Sequence, residues 1–176
     1  MHEDTDFITK LGRPFLAHRL RRLAETFLDG YGRWLPSVGI TAPPRALSTL
    51  LLLDDDGPLG VTEIAGRLRL SHPLLIKLTG NLEALGLTRT ARDPEDGRRR
   101  LIALTEAGRD QAARIRSAVE ILDRAYGELA DEIGIDLMEA CARAERACLA
   151  ISFDKRLERA VAEIHQREEP ECAPSA

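Results

Sequence analysis

The side chains best placed to do chemistry are basic and lie between residues 61 and 105. Arg67, Arg69, Lys77, Arg89, Arg92, Arg98, Arg99 and Arg100 outnumber the five carboxylates there (Glu63, Glu83, Asp93, Glu95 and Asp96), although the whole 176-residue chain has a net charge of −4. A local field of this kind decides what binds more than the overall sum does. Guanidinium and ammonium groups are donors that hold anions. Ser71, His72 and Pro73 add a helix opening, with Ser71 as cap and proline tolerated in the first turn, and free N–H groups at such an opening favour phosphate. His72 reads equally as a donor to an anion or as an exposed first-turn residue. Nothing nearby makes a catalytic set. The chain has no P-loop, no G-x-S-x-G, no H-E-x-x-H and no paired catalytic carboxylates. No enzyme, cofactor or metal is expected. His18 and His165 read as surface residues.

These groups must be held by a mostly helical chain. Aromatic residues are 4% of the total against 44% hydrophobic overall, so the core is built from Leu, Ala, Ile and Val. Charged residues at 31% exclude a membrane-embedded class. The longest apolar stretch, 46–53, is too short to span a bilayer. The polar N-terminus is unlike a signal peptide, and three cysteines without a C-x-x-C spacing fit a reducing compartment. A cytoplasmic protein is expected, with no membrane partner.

Periodicity predicts a helix over 7–34, starting or kinking at Pro14, and a second over 44–54. Asp54, Asp55 and Asp56 are then expected in a solvated turn, since acids are unfavourable at a helix C-terminus. A short helix capped by Thr62 runs to about Leu68. A second follows from about 72 to 85 and stops at Gly86. Extended runs at 87–91 and 99–104 flank a Pro and Asp-Gly loop, which makes a hairpin. Thr105 caps a helix over 106–130. Asp136 with Glu139 opens the last one, whose apolar positions Leu137, Cys141, Ala144, Cys148 and Ile151 form a seam before shifting to Phe153, Leu157, Ala160 and Ile164. Helix, tight turn, helix and basic-tipped hairpin is the winged helix-turn-helix order.

The stretch from Val61 to Gly108 resembles the MarR-type transcriptional regulators. Its most specific piece is the wing: Asp93-Pro94-Glu95-Asp96, Arg98, Ile102, Leu104-Thr105 and Gly108. The resemblance implies a mainly α fold with a small β-wing and long N- and C-terminal dimerisation helices. It implies an N-terminal dimerisation helix at 7–42, a DNA-binding lobe at 43–105, C-terminal dimerisation helices at 106–168 and a flexible tail at 169–176. Carried over residue by residue, Ser71, His72 and Pro73 open the recognition helix, and Lys77 reaches a phosphate or base edge. Arg98 is the wing arginine, supported by Asp96, while Arg69, Arg89, Arg92 and Arg99 add phosphate contacts. The implied partners are double-stranded DNA, a second copy of the chain and a small aromatic or amphipathic effector. A ligand-responsive repressor is implied, nucleoid-associated when bound. The long end helices also carry more apolar surface than a thin monomer can cover, which points to a homodimer.

Departures from the family pattern are informative. Arg69 stands where the turn usually carries glycine, and a left-handed residue there costs about 1 kcal/mol. Gly66 weakens the first helix of the pair. Leu74, Leu75 and Ile76 cannot all face inward on one helix. Their outward apolar groups keep a second reading open, a winged-helix protein-interaction module with weakened DNA readout. Phe27, Tyr31 and Trp34 share a face that is either core and dimer contact or part of an effector pocket. Cys141 and Cys148 are too far apart to bond within one helix and read as small buried hydrophobes, with no cysteine near the N-terminus to suggest oxidant sensing.

Overall fold

The computed structural model describes residues 6–93, 96–97 and 99–168. The chain divides into two compact units, one ending at Glu120 and the other beginning at Ile121.

The first unit opens with α1 (Phe7–Leu11), a 3₁₀ turn (Arg13–Phe15) and α2 (Leu16–Trp34). The break in the expected long helix falls at Gly12, where φ is +70°, just before Pro14. Asp6 caps α1 by accepting from the Ile8 N–H at 3.1 Å and also holds Arg22 at 2.6 Å. The hydrogen bond from Arg22 keeps the Asp6 carboxyl well below the usual carboxylate range. Tyr31 and Trp34, at the end of α2, pack against the core. The chain then turns through Gly39 at φ +72°. Buried Gln111 fixes this loop: its Oε1 accepts from the Thr41 and Ala42 N–H groups at 2.7 and 3.2 Å, and its Nε2 donates to the Gly39 carbonyl at 3.2 Å.

Helix α3 (Leu47–Asp56) includes the three aspartates that were expected in a turn. Arginines from two other helices offset their unfavourable position. Arg116 holds Asp54 at 3.0 Å and also Asp55, while Arg67 holds Asp56. Next come β1 (Leu59–Gly60), α4 (Val61–Leu68), α5 (His72–Ala84), β2 (Thr88–Arg92), β3 (Arg100–Leu104) and α6 (Glu106–Ile133). The sheet is antiparallel in the order β1-β3-β2, with Leu59 opposite Ile102 and Thr88 opposite Leu104. Strand β1 was not expected, because two residues show no alternation.

The core gathers Leu35, Ile40, Leu50, Ile64, Leu75, Leu82 and Ile115, each at most 2% exposed. The family-like Thr105 and Gly108 have a mechanical reason. Thr105 caps α6 by accepting from the Gly108 N–H at 3.0 Å, and its own N–H donates to the Leu87 carbonyl at 3.0 Å. A Cβ on Gly108 would stand 2.0 Å from that carbonyl oxygen, so only glycine lets α6 sit against the end of the wing.

The second unit contains the end of α6, then α7 (Leu137–Ala150) and α8 (Phe153–Glu168). Asp136 caps α7 by accepting from the Glu139 N–H at 3.0 Å, as its spacing predicts. The expected single last helix is broken at Ile151, which is extended at φ −137°. Arg156 satisfies the freed end of α7 by donating to the Ala147 and Ile151 carbonyls at 2.8 and 3.2 Å. This break is where the apolar stripe changes register. Cys141 and Cys148 are exposed in the chain, not buried as expected, and no residue of α7 is buried within this unit.

Candidate nucleic-acid interface

The cap of helix α4 lies two residues before the expected Thr62. Gly60 is the capping position, and its N–H donates to the Glu63 carboxylate at 3.0 Å. The helix ends at Arg69, with φ 51° and ψ 40°, the one non-glycine residue with positive φ among those described. An L-residue pays steric strain in this left-handed region. The Leu70 N–H bonds back to the Ala65 carbonyl at 3.0 Å and closes the tight turn. Ser71 then precedes α5 in extended conformation, and Pro73 sits in the first turn. The Ser71 hydroxyl makes no capping bond.

Helix α5 buries Leu75, Leu78, Thr79 and Leu82. Thr79 Oγ donates to the Leu75 carbonyl at 3.0 Å, so its polarity is met inside the helix. The opposite face presents His72, Pro73, Ile76, Lys77 and Gly80 to solvent. The last turn is tied to the wing, where Glu83 accepts from the Thr90 N–H at 3.1 Å and its hydroxyl at 3.3 Å. Recognition-helix candidate and wing therefore move together.

In the wing, Arg92 of β2 lies directly opposite Arg100 of β3, both exposed. Like charges in that register repel unless an anion lies against them. Arg89, Arg92, Lys77 and His72 form no ion pair among the described residues. Arg99 behaves differently: it donates to Glu63 at 2.8 Å and lies 3.6 Å from Asp93, joining the wing to α4. Its charge is thus partly spent inside the lobe, and no sequence pattern pointed to Glu63 as its partner. Asp96 closes the loop by accepting, through its carbonyl, from the Arg99 N–H at 2.8 Å. Arg98, Pro94, Glu95 and the tail at 169–176 lie outside the described residues.

A cavity of about 760 Å³ opens beside this face. Helix α2 contributes Glu25, Leu28, Asp29, Gly32 and Arg33, the Pro43–Ala46 segment forms one wall, and α5 contributes Leu74, Lys77, Leu78 and Asn81. Glu25 is held by Arg45. Phe27, Tyr31 and Trp34 do not line it; it opens on the neighbouring positions of the same helix. Leu28, Gly32 and Pro44 carry no polar pattern, which is why the cavity was not legible in the sequence. Among the described residues no His, Cys, Asp or Glu cluster could hold a metal ion, and no helix is long and apolar enough to cross a membrane.

No family model matches the sequence, and no curated protein does. Solved structures do. The transcriptional repressor CouR bound to a 23-mer DNA duplex is 28% identical, with a TM-score of 0.60 over 74% of this chain and 92% of that one. CouR bound to p-coumaroyl-CoA is 26% identical, with a TM-score of 0.60 over 86% and 99%. The PcaV transcriptional regulator from Streptomyces coelicolor, in complex with its natural ligand, shares the fold at 24% identity and a TM-score of 0.56 over 73% and 92%. These neighbours are MarR-family winged-helix proteins. With the helix pair, the three-stranded wing and the capped α6 in place, the chain has the winged helix-turn-helix fold of these regulators, and its likeness to CouR supports a regulator of the MarR type.

Proposed function

We propose that the chain works as a homodimeric, ligand-responsive repressor of transcription in the cytoplasm. Each lobe sets α5 in a major groove and the wing in the adjacent minor groove, where the potential is most negative. Two-fold symmetry then calls for a pseudo-palindromic site with half-sites about 34 Å apart. The observation that carries this reading is the exposed basic side chains on both parts of one tied unit: Lys77 on α5, with Arg89 and Arg92 on β2, and Glu83 bonding helix to wing. Ser71 and Pro73 shape the helix opening, Arg69 and Arg98 extend the face, and Asp96 and Arg99 hold the wing in position.

The cavity is the proposed effector site. The DNA-bound and ligand-bound forms of CouR make both kinds of partner reasonable for this fold. Its apolar lining and rim of mixed charge suit a small aromatic or amphipathic compound. Because Leu74 and Lys77 line the cavity on the helix that enters the groove, occupancy there biases the lobe's fit to DNA, and the coupling is reciprocal.

The test is a salt titration of binding to the duplex upstream of the protein's own gene. Affinity falls steeply with salt, and Lys77→Ala or Arg98→Ala each lowers the log–log slope by about 1. Unchanged affinity and slope in both variants would remove these residues from the interface. The competing reading, a protein-interaction module, rests on the exposure of Leu74 and Ile76. It gives salt-insensitive binding to a protein and none to DNA.

A further inference from the structure

Helix α5 carries two large exposed aliphatic side chains, Leu74 and Ile76, and helix geometry separates their fates. Successive residues turn by about 100°, and the buried Leu75, Leu78, Thr79 and Leu82 fix the inward face. Leu74 falls on one flank, where it walls the cavity. Ile76 falls on the other flank, lines no part of that cavity and is 54% exposed. Gly80 lies one turn further along the same flank.

Gly80 has no internal explanation. Nothing stands within 4 Å of the place its Cβ would occupy, and it is not among the glycines with positive φ. Mid-helix glycine is less favourable than alanine, so neither packing nor backbone conformation asks for it. A missing Cβ on an exposed helix face brings the backbone nearer to whatever lies against that face.

We propose that Ile76 and Gly80 together read a thymine. Ile76 packs on the C5-methyl group, the one apolar feature a base pair offers in the major groove. Gly80 lets α5 approach the base edge closely enough for that contact. This inference rests on the DNA-binding reading above. Charge favours DNA over a protein occupant: Ile76 stands beside the exposed Lys77, and the wing tied to this helix through Glu83 adds the exposed Arg89 and Arg92.

The experiment starts by enriching duplexes from a randomised library with the full chain. Thymines of the enriched sequence are then replaced singly by deoxyuridine, which removes only the methyl group. One replacement per half-site is expected to weaken wild-type binding about fourfold, the loss of one buried methyl. The same replacement leaves Ile76→Ala unaffected. Gly80→Ala weakens binding to the enriched duplex while raising the melting temperature by about 2–4 °C, a split that a merely structural glycine does not give. If deoxyuridine is neutral everywhere, or acts equally on Ile76→Ala, the role of Ile76 is overturned while DNA binding stands. If Gly80→Ala binds as wild type, close approach is overturned. If no duplex is enriched, the DNA-binding reading itself fails.

Discussion

The two units of this chain differ in how completely they cover themselves. The first contains every buried core residue, from Leu35 to Ala118. The second has none among its described residues, yet presents Ile133, Met138, Leu149, Phe153, Leu157, Val161 and Ile164 at 44–80% exposure. Both are helical and well patterned. One has enough layers to bury its stripes, and the other has stripes without a facing layer. In the first unit α1, the 3₁₀ turn and α2 share the second unit's condition, with Phe7, Phe15, Leu16 and Leu20 exposed. Helical stability in proteins comes mainly from packing an amphipathic face, so these segments are the ones a second copy of the chain would complete.

The sharpest way to break that comparison is to charge the uncovered stripe. Leu157→Glu with Val161→Glu should convert the proposed dimer to monomer in sedimentation, while the melting of the first unit stays in place. A dimer that sediments unchanged would mean that α8 has no partner. The next effect is internal. Leu50→Ala, at a fully buried position, should cost about 2–5 kcal/mol in denaturant unfolding. Leu149→Ala, at 71% exposure, should cost far less in the separated monomer. Equal costs would erase the distinction between the units. Third, Gln111→Ala strips the acceptor from the Thr41 and Ala42 N–H groups and should cost about 1–3 kcal/mol, with faster amide exchange confined to 39–42.

The smallest effect concerns α1. Arg22 holds the Asp6 carboxyl below its ordinary value of 3.8, so the pair's contribution is fully present above that value. It is lost as pH falls through the lower folded value. Exchange protection of α1 should therefore persist at neutral pH and disappear in acid. Asp6→Asn should remove that acid dependence; protection that falls identically in both proteins would place the effect elsewhere.

The sequence made the helix pair legible because punctuation surrounds it: Gly57-Pro58 before, Ser71 and Pro73 between, Gly86 after. The wing was legible from its loop, and Thr105 and Asp136 from their cap chemistry. What escaped depends on partners distant in the chain. Asp54, Asp55 and Asp56 stay helical because Arg116 and Arg67 reach them. Arg99 reads as one more phosphate contact until Glu63 is found 2.8 Å away. The aromatic face of α2 reads either as core and dimer contact or as part of an effector pocket; Tyr31 and Trp34 pack against the core, and the opening falls on the neighbouring small and charged positions. Cys141 and Cys148 were read as buried because the seam pattern says which face is apolar, not what covers it.

The bond from Thr90 to Glu83 has a wider consequence. Sheets grow by adding strands where ladder groups are left open, and β2 is an outer strand here. The Glu83 carboxylate occupies its Thr90 N–H, and the strand carries the exposed charges Arg89 and Arg92. The opposite margin, β1, is two residues long. Neither margin is a long open template for an intruding strand.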